Sequence, residues 1–323
     1  MGNIPATNSN DDLAEKGHDR MDSRGSEDDG NFNPGDGEIQ GDKENGLFLS
    51  SYYIPEEVLG HILSFVDSQA LVFSCRFVCH NWKCLVDSLA LKWRAERIGF
   101  KNLKENPGLL CKLNWIDYYW LTHKLPFECN LLKNNCGQNS FESWVIVKNG
   151  GDGWKVESCP QGTESIPPVN YRGESHPDFM GLSSCFVTSF STCTKFQVIN
   201  LNKNGLTPNF MDNVQPPIQI SEWTVCRHDC GCIYELNVSL LDENMKTVTQ
   251  FKANENFHHL PREIWHQVSH IFQNYGPGVR HIRFEHSGVD SQFWKGHYGS
   301  KMSGGSVRVL DRIKENTWDA PLE

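Results

Sequence analysis

The chain of 323 residues lacks any long apolar run: no stretch approaches the ~18 consecutive apolar residues that a membrane-crossing helix requires. We therefore expect no membrane span. It also lacks a basic excess, with 30 Lys and Arg against 40 Asp and Glu for a net charge of −10. Residues 1–46 hold twelve of the acidic and four of the basic residues, so everything after them is close to neutral. A near-neutral body offers no electrostatic footprint for a phosphate backbone, which argues against nucleic acid as a partner. The first residues have neither a basic segment nor an apolar segment of a secretory leader. Gly2 is followed by Ala6 where a myristoylation signal needs Ser or Thr. No phosphate-cradling loop, nucleophile elbow or active-site Cys phrase is legible, so no catalytic residue, cofactor or metal is expected. Cysteine is not scarce, at 12 residues. Without a leader, however, a reducing, cytoplasmic compartment and free thiols are the expectation.

What is present begins with composition. Residues 1–46 are Asp, Glu, Asn, Gly and Ser with little to bury, a composition for a disordered acidic tail. The stretch from Tyr53 to Lys92 then organises the chain. Pro55, Glu56 and Glu57 mark the start of a helix, where a missing N–H is tolerated and negative charge meets the positive end of the dipole. Val58, Leu59, Ile62, Leu63, Phe65 and Val66 recur at helical spacing, and Asp67-Ser68 offers capping oxygens. A second stripe follows at Leu71, Val72, Cys75 and Val78, and a third at Trp82, Leu85, Val86 and Leu89. Three short helices cannot bury this much apolar surface on one another, so a partner or the rest of the chain must cover it. Cys75, Cys79 and Cys84 fall on these helices and are expected to be small buried side chains. Leu91, Trp93, Arg94 and Ile98 lead to Gly99, an expected C-cap, and Trp115, Tyr118 and Tyr119 mark a further helix whose rings belong to a core.

After Leu125-Pro126 the helical spacing ends. Ten short runs with strand character follow, separated by Gly, Pro, Asn and Asp, with no helix expected between them. They are 144–148, 154–157, 185–190, 196–201, 218–225, 233–241, 247–252, 265–272, 279–286 and 306–310. Tyr234, Leu236, Val238 and Leu240 alternate with Glu235, Asn237 and Ser239, as in a strand with one wet face. Ten such strands predict an antiparallel two-sheet sandwich whose end loops carry a binding site. Cys226-x-His228-x-Cys230-x-Cys232 has metal-ligand composition, but spacing of one places all four on one face of a strand, a poor tetrahedral cage. His266 and His270 lack the Glu of a zinc-peptidase helix and are read as surface. The sequon Asn237-Val238-Ser239 falls mid-strand.

The residues Ile54-Pro55-Glu56-Glu57-Val58-Leu59, Ile62-Leu63-Ser64-Phe65-Val66, Leu71 and Val78-Cys79-His80-Asn81-Trp82 resemble the F-box without a gap. That resemblance implies docking onto the Skp adaptor and cullin of an SCF-type ubiquitin ligase, with Pro55, Leu59, Ile62, Leu63, Leu71 and Trp82 serving Skp binding or F-box integrity. Downstream, Asn130–Gly137, Gly150–Glu157, Tyr275–Arg280, Arg283–His286 and Asp290–Gly299 resemble the F-box-associated (FBA) domain of sugar-recognising F-box proteins. The implied organisation is an α+β multidomain chain: acidic tail 1–47, three-helix F-box 48–95, helical linker 96–125, FBA β-sandwich of galactose-binding-like, jelly-roll type 126–312, and C-terminal tail 313–323. The resemblance implies a non-catalytic subunit that binds the inner chitobiose of high-mannose N-glycans on misfolded glycoproteins and directs them to ER-associated degradation. Its place would be the cytoplasm, including the cytosolic face of the ER without a span. Phe293, Trp294 and Lys295 would grip the sugar with Phe190 from an adjacent loop. An indole supplies a plate for the C–H face of a sugar ring, and a Lys supplies mobile donors for its hydroxyl rim. The sequence departs from the family in Phe293, where a Tyr is usual, and in Lys301–Val307, where Arg-Val-Thr-Asn-Ser-Ser-Val is usual. Two alternatives stay open: an FBA domain that reads a protein surface, and a glycoprotein-holding lectin or chaperone that acts without ubiquitination.

Overall fold

The computed structural model describes residues 45–98, 100, 108, 111–166, 173–256 and 262–311. The expected acidic tail up to residue 44, the expected cap Gly99, most of 101–110 and the tail 313–323 lie outside these residues.

A two-residue hairpin of β1 (Phe48–Leu49) and β2 (Tyr52–Tyr53) precedes the helices. Pro55 stands at the N-cap of α1 (Glu56–Leu63), one position ahead of the first turn. The Asp67 carboxylate accepts the Gln69 N–H and caps α2 (Ser68–Phe73), as the sequence suggested. A 3-10 turn (Cys75–Phe77) leads to α3 (His80–Leu85), which runs through a π turn (Val86–Ala90) into α4 (Leu91–Ile98). The expectation of buried cysteines here fails. Cys84 is exposed, and Cys75 and Cys79 are half-buried, because Leu85 alone of α3 and no residue of the 3-10 turn is buried in the helical core.

Helix α5 (Trp115–Lys124) joins the two parts of the chain. Asn114 and Asp117 form a reciprocal capping box, and Tyr118, Tyr119 and Leu121 are buried against α2 and α4. The free lone pairs of Asp117 accept from Thr207 Oγ1 and from Asn209 Nδ2 (2.6 Å). Phe127 bridges Phe100 and Phe210 edge-on, at 4.9 and 5.8 Å between centroids. Trp115 is only half-buried, under the Arg76 guanidinium at 3.9 Å.

The sandwich contains all ten expected strands, with shifted ends. One sheet has the order β10-β7-β12-β5-β4 and the other β3-β6-β11-β8-β9, each with antiparallel pairs. Their ranges are β3 (Val145–Asn149), β4 (Lys155–Glu157), β5 (Cys185–Val187), β6 (Cys193–Asn200) and β7 (Ile218–Val225). The chain continues through β8 (Cys232–Leu241), β9 (Thr247–Asn256), β10 (His266–Phe272), β11 (His281–Asp290) and β12 (Lys301–Val309). Most connections cross from one sheet to the other, which is jelly-roll connectivity and gathers the loops at the two ends. The expectation of no helix between strands is corrected by α6 (Pro208–Val214). Thr207 caps it by accepting the Phe210 N–H (3.1 Å), Pro208 fills its first turn, and Phe210 and Met211 are buried.

Tyr234, Leu236, Val238 and Leu240 face the core, as the alternation required. Between the sheets lies a polar chain from four strands. The buried Lys195 amine donates to His286 Nε2, His286 Nδ1 donates to the Glu222 carboxylate (2.7 Å), and the Tyr234 hydroxyl donates to the same carboxylate. Phe186, Trp144 and Trp154 surround the amine at 3.4, 3.8 and 4.7 Å from their ring centroids. Burial holds the His286 imidazole down at about 4 and also pushes the Lys195 amine down.

Candidate functional site

Strand β11 ends at Asp290, a residue 2% exposed whose carboxylate collects three backbone N–H groups. Oδ1 accepts from Gln292 (3.1 Å) and Phe293 (2.6 Å), and Oδ2 accepts from Trp294 (3.1 Å). This nest folds the loop back on itself and holds Phe293 at φ 56°, a left-handed backbone that is unfavourable for an aromatic residue. The side chains are thrown outward: Phe293 is 78% and Trp294 44% exposed, and Lys295 is exposed beside them. The Tyr298 ring supports Trp294 edge-on at 5.6 Å.

The base of this loop is tied to the loop after β5. Asp290 N–H donates to Ser189 O (3.1 Å), and Ser189 Oγ donates to Gly296 O (2.7 Å) while accepting the Asp152 N–H (2.9 Å). Phe190 is the next residue and is half-buried. Gly151 lies so close to it that an added Cβ would stand 2.7 Å from Ser189 Oγ and 3.0 Å from the Phe190 ring; its φ of +63° also favours glycine. Phe190, Phe293, Trp294 and Lys295 therefore gather at one end of the sandwich, joined through Ser189 and Asp290. The sequence reading missed these two anchors. The Asp-Ser-Gln spacing after a strand was the available signal, since Asp commonly accepts N–H groups two and three residues on. The departure at Lys301–Val307 lies in the interior rather than at the tip. Lys301 pairs with buried Glu157 (2.6 Å), and a Cβ on Gly304 would meet the Phe179 ring. A groove of about 340 Å³ lies elsewhere, between Glu235, Asn237, Lys252, Asn254, Glu285 and Ser287, and none of the four residues lines it.

The strand expected across Cys226–Cys232 is replaced by a turn that carries the chain from β7 in one sheet to β8 in the other. Cys226 and Cys232 form a disulfide, Cys230 is a buried thiol and His228 lies at the exposed turn. The expectation of free thiols throughout is thus corrected: positions 226 and 232 flank a turn that returns the chain to face itself, with Cα atoms 5.7 Å apart. His266 and His270 lie on β10, His270 stacked on Phe251 at 4.4 Å, and Asn237 is mid-strand in β8.

A second surface is built by the N-terminal helices. Leu59, Leu63 and Leu71 are 2%, 3% and 0% exposed and form the helical core, while Trp82 is half-buried with Nε1 donating to Gly46 O (2.7 Å). Ile62 (47%), Val58 (49%), Phe65 (61%), Phe73 (61%), Val78 (58%) and Phe77 (77%) remain exposed. So many large apolar side chains on so few residues are far more than a monomer's scattered surface apolars and mark a docking face. The residues beyond Ile62 were missed as surface because the same stripes also contain the core positions. Leu59→Ala is expected to destabilise the helices by about 2–5 kcal/mol. An Ile62→Asp/Phe77→Asp pair, by contrast, should leave the melting temperature nearly unchanged and remove binding of the docking partner, as read by thermal melting and co-purification.

The helical module thus carries an exposed apolar face, and the β-sandwich an aromatic loop at one end. Residues 53–94 match the F-box domain and residues 122–309 the F-box associated region. The chain belongs to the F-box proteins that carry an F-box associated region. It is 35% identical to rat F-box only protein 6 over 265 residues, covering 81% of this chain and 88% of that protein. Bovine F-box only protein 2 is 35% identical over 266 residues (79% and 82%), and human F-box only protein 44 is 33% identical over 258 residues (79% and 95%). Among solved structures, a family 16 carbohydrate-binding module is 15% identical and covers 55% of this chain and 99% of its own, at a TM-score of 0.30. Among the described residues no helix is long and apolar enough to cross a membrane.

Proposed function

We propose that this protein is the substrate-recognition subunit of an SCF-type ubiquitin ligase that captures misfolded glycoproteins by the inner chitobiose of their high-mannose N-glycans. The observation that carries the glycan reading is the outward display of Phe293 and Trp294 on a loop rigidly held by Asp290, with Lys295 and Phe190 alongside. Apolar plates exposed to water and backed by a buried anchor favour a ligand with one C–H face and a hydroxyl rim. The helical face of Val58, Ile62, Phe65 and Phe77 would receive the Skp adaptor, which links the chain to a cullin. The chain's own contribution is then proximity: it holds the cargo near a charged conjugating enzyme and raises the effective concentration of acceptor lysines. The inner sugars of a folded glycoprotein are shielded, so the same loop distinguishes misfolded cargo destined for ER-associated degradation from the cytoplasmic side.

The test is a pull-down of a denatured high-mannose glycoprotein by the full-length protein, beside the same bait stripped by an endoglycosidase. Capture of the intact bait, release by free chitobiose and no capture of the stripped bait are expected. Equal capture of both baits would transfer recognition from the glycan to the polypeptide surface.

A further inference from the structure

The Cys226–Cys232 disulfide lies behind the aromatic loop and spans the two sheets. Cys226 directly follows β7 in one sheet, and Cys232 opens β8 in the other. Cys232 is the register partner of Asp290, whose carboxylate folds the loop. The Ser291 N–H, first in the loop, donates to Gly231 O (2.9 Å) inside the inter-sheet turn that the disulfide closes. At the loop's far end the Arg227 guanidinium covers the Tyr298 ring at 4.6 Å, and Tyr298 supports Trp294. Arg227 is itself held by Asp229 through two hydrogen bonds of 2.8 Å. Both ends of the loop thus lean on one short inter-sheet turn, whose closure is covalent.

We propose that Cys226 and Cys232 form a thiol–disulfide latch that regulates the aromatic loop. Oxidised, it fixes Asp290 and Tyr298 and keeps the plates preorganised; reduced, it frees the turn and weakens ligand capture. The proposal rests on the glycan reading only for its ligand. The oxidant is a low-molecular-weight disulfide such as glutathione disulfide. One cysteine thiolate attacks it and expels a glutathione thiolate. The second cysteine thiolate then attacks the protein-side sulfur of the mixed disulfide and expels the other, so two electrons and two protons leave the protein for two glutathione thiols. Both cysteines are fully buried, so exchange proceeds through an opened turn and the latch changes state slowly. Cys230 stays out of the exchange. It is buried, its thiol donates to Gly231 O, and burial pushes its pKa up, away from the reactive thiolate.

The experiment equilibrates the full-length protein with glutathione or glutathione disulfide, maps thiols by alkylation and mass spectrometry, and follows amide hydrogen exchange and chitobiose affinity. Expected are alkylation at 226 and 232 only after reduction, faster exchange at Ser291, Phe293 and Trp294, and about fivefold or greater loss of affinity. The Cys226→Ser/Cys232→Ser protein should match the reduced state in both buffers. Amide exchange and affinity unchanged by reduction would overturn the latch, as would alkylation of both cysteines in the oxidised sample. Loss of chitobiose binding in both states, with the exchange difference intact, would sink the glycan reading and leave the latch standing.

Discussion

Replacing Trp294 with Ala is expected to lower the full-length protein's affinity for a chitobiose-cored oligosaccharide by about 30-fold or more, the ~2 kcal/mol typical of a dominant aromatic contact. The indole is the largest plate on the loop, and a smaller side chain cannot cover the C–H face of a sugar ring. The loss should be one of binding alone. Trp294 is 44% exposed, and its backbone N–H remains bound to Asp290 Oδ2 in the variant. Melting temperature should therefore move little. Lys295→Gln should weaken binding less, because on this reading its exposed amine would act at the wet rim, where a lost donor is replaced by water. Titration calorimetry on both variants, with thermal melting alongside, reads these effects. An unchanged dissociation constant for Trp294→Ala would remove the indole from the site and with it the reason for its exposure.

The parts of this molecule that repeat in sequence were legible, and those that depend on single residues meeting across it were not. The β8 alternation of Tyr234, Leu236, Val238 and Leu240 specified which face is buried because a strand's period is set by its backbone. Apolar stripes located α1 and α2 for the same reason, yet they could not separate Leu59 from Val58. Telling core from docking face needs the packing partner, which a stripe alone does not supply. Thr207-Pro208 was a helix start hidden among turn residues, and the short α6 that followed carried too few positions to show a period. The candidate loop was visible as Phe293-Trp294-Lys295, but its anchors Ser189 and Asp290 are 101 residues apart and meet only because β5 and β11 end at the same edge. The cysteine cluster misled because spacing of one was read as strand geometry, whereas Asp229-Cys230-Gly231 is turn chemistry.

Least legible of all was the polar chain between the sheets, which supplies the largest expected effect on stability. Lys195→Met is expected to destabilise the protein by about 3–5 kcal/mol at neutral pH, because it leaves the Glu222 carboxylate buried without its counter-charge. The wild-type arrangement is self-consistent with one tautomer. His286 donates from Nδ1 to Glu222 and accepts at Nε2 from Lys195, so a neutral imidazole relays a charge pair. Burial holds its folded pKa at about 4, below the ~6.5 of an unfolded His. The folded state therefore binds fewer protons at this position. Its stabilising contribution is complete above about pH 6.5 and is lost as pH falls towards about 4. In Lys195→Met the imidazole can take a proton and become the counter-charge of Glu222, so the deficit relative to wild type should be largest near pH 7–8 and shrink near pH 5. Adding Glu222→Gln removes the second charge yet keeps partners for the Tyr234 hydroxyl and His286, and should recover a substantial part of the loss. Denaturant unfolding of the single and double variants at the two pH values measures each term. A Lys195→Met deficit that does not vary with pH would mean that His286 stays neutral whatever stands beside it, and that the amine stabilises the core through Trp144, Trp154 and Phe186 rather than through the charge relay.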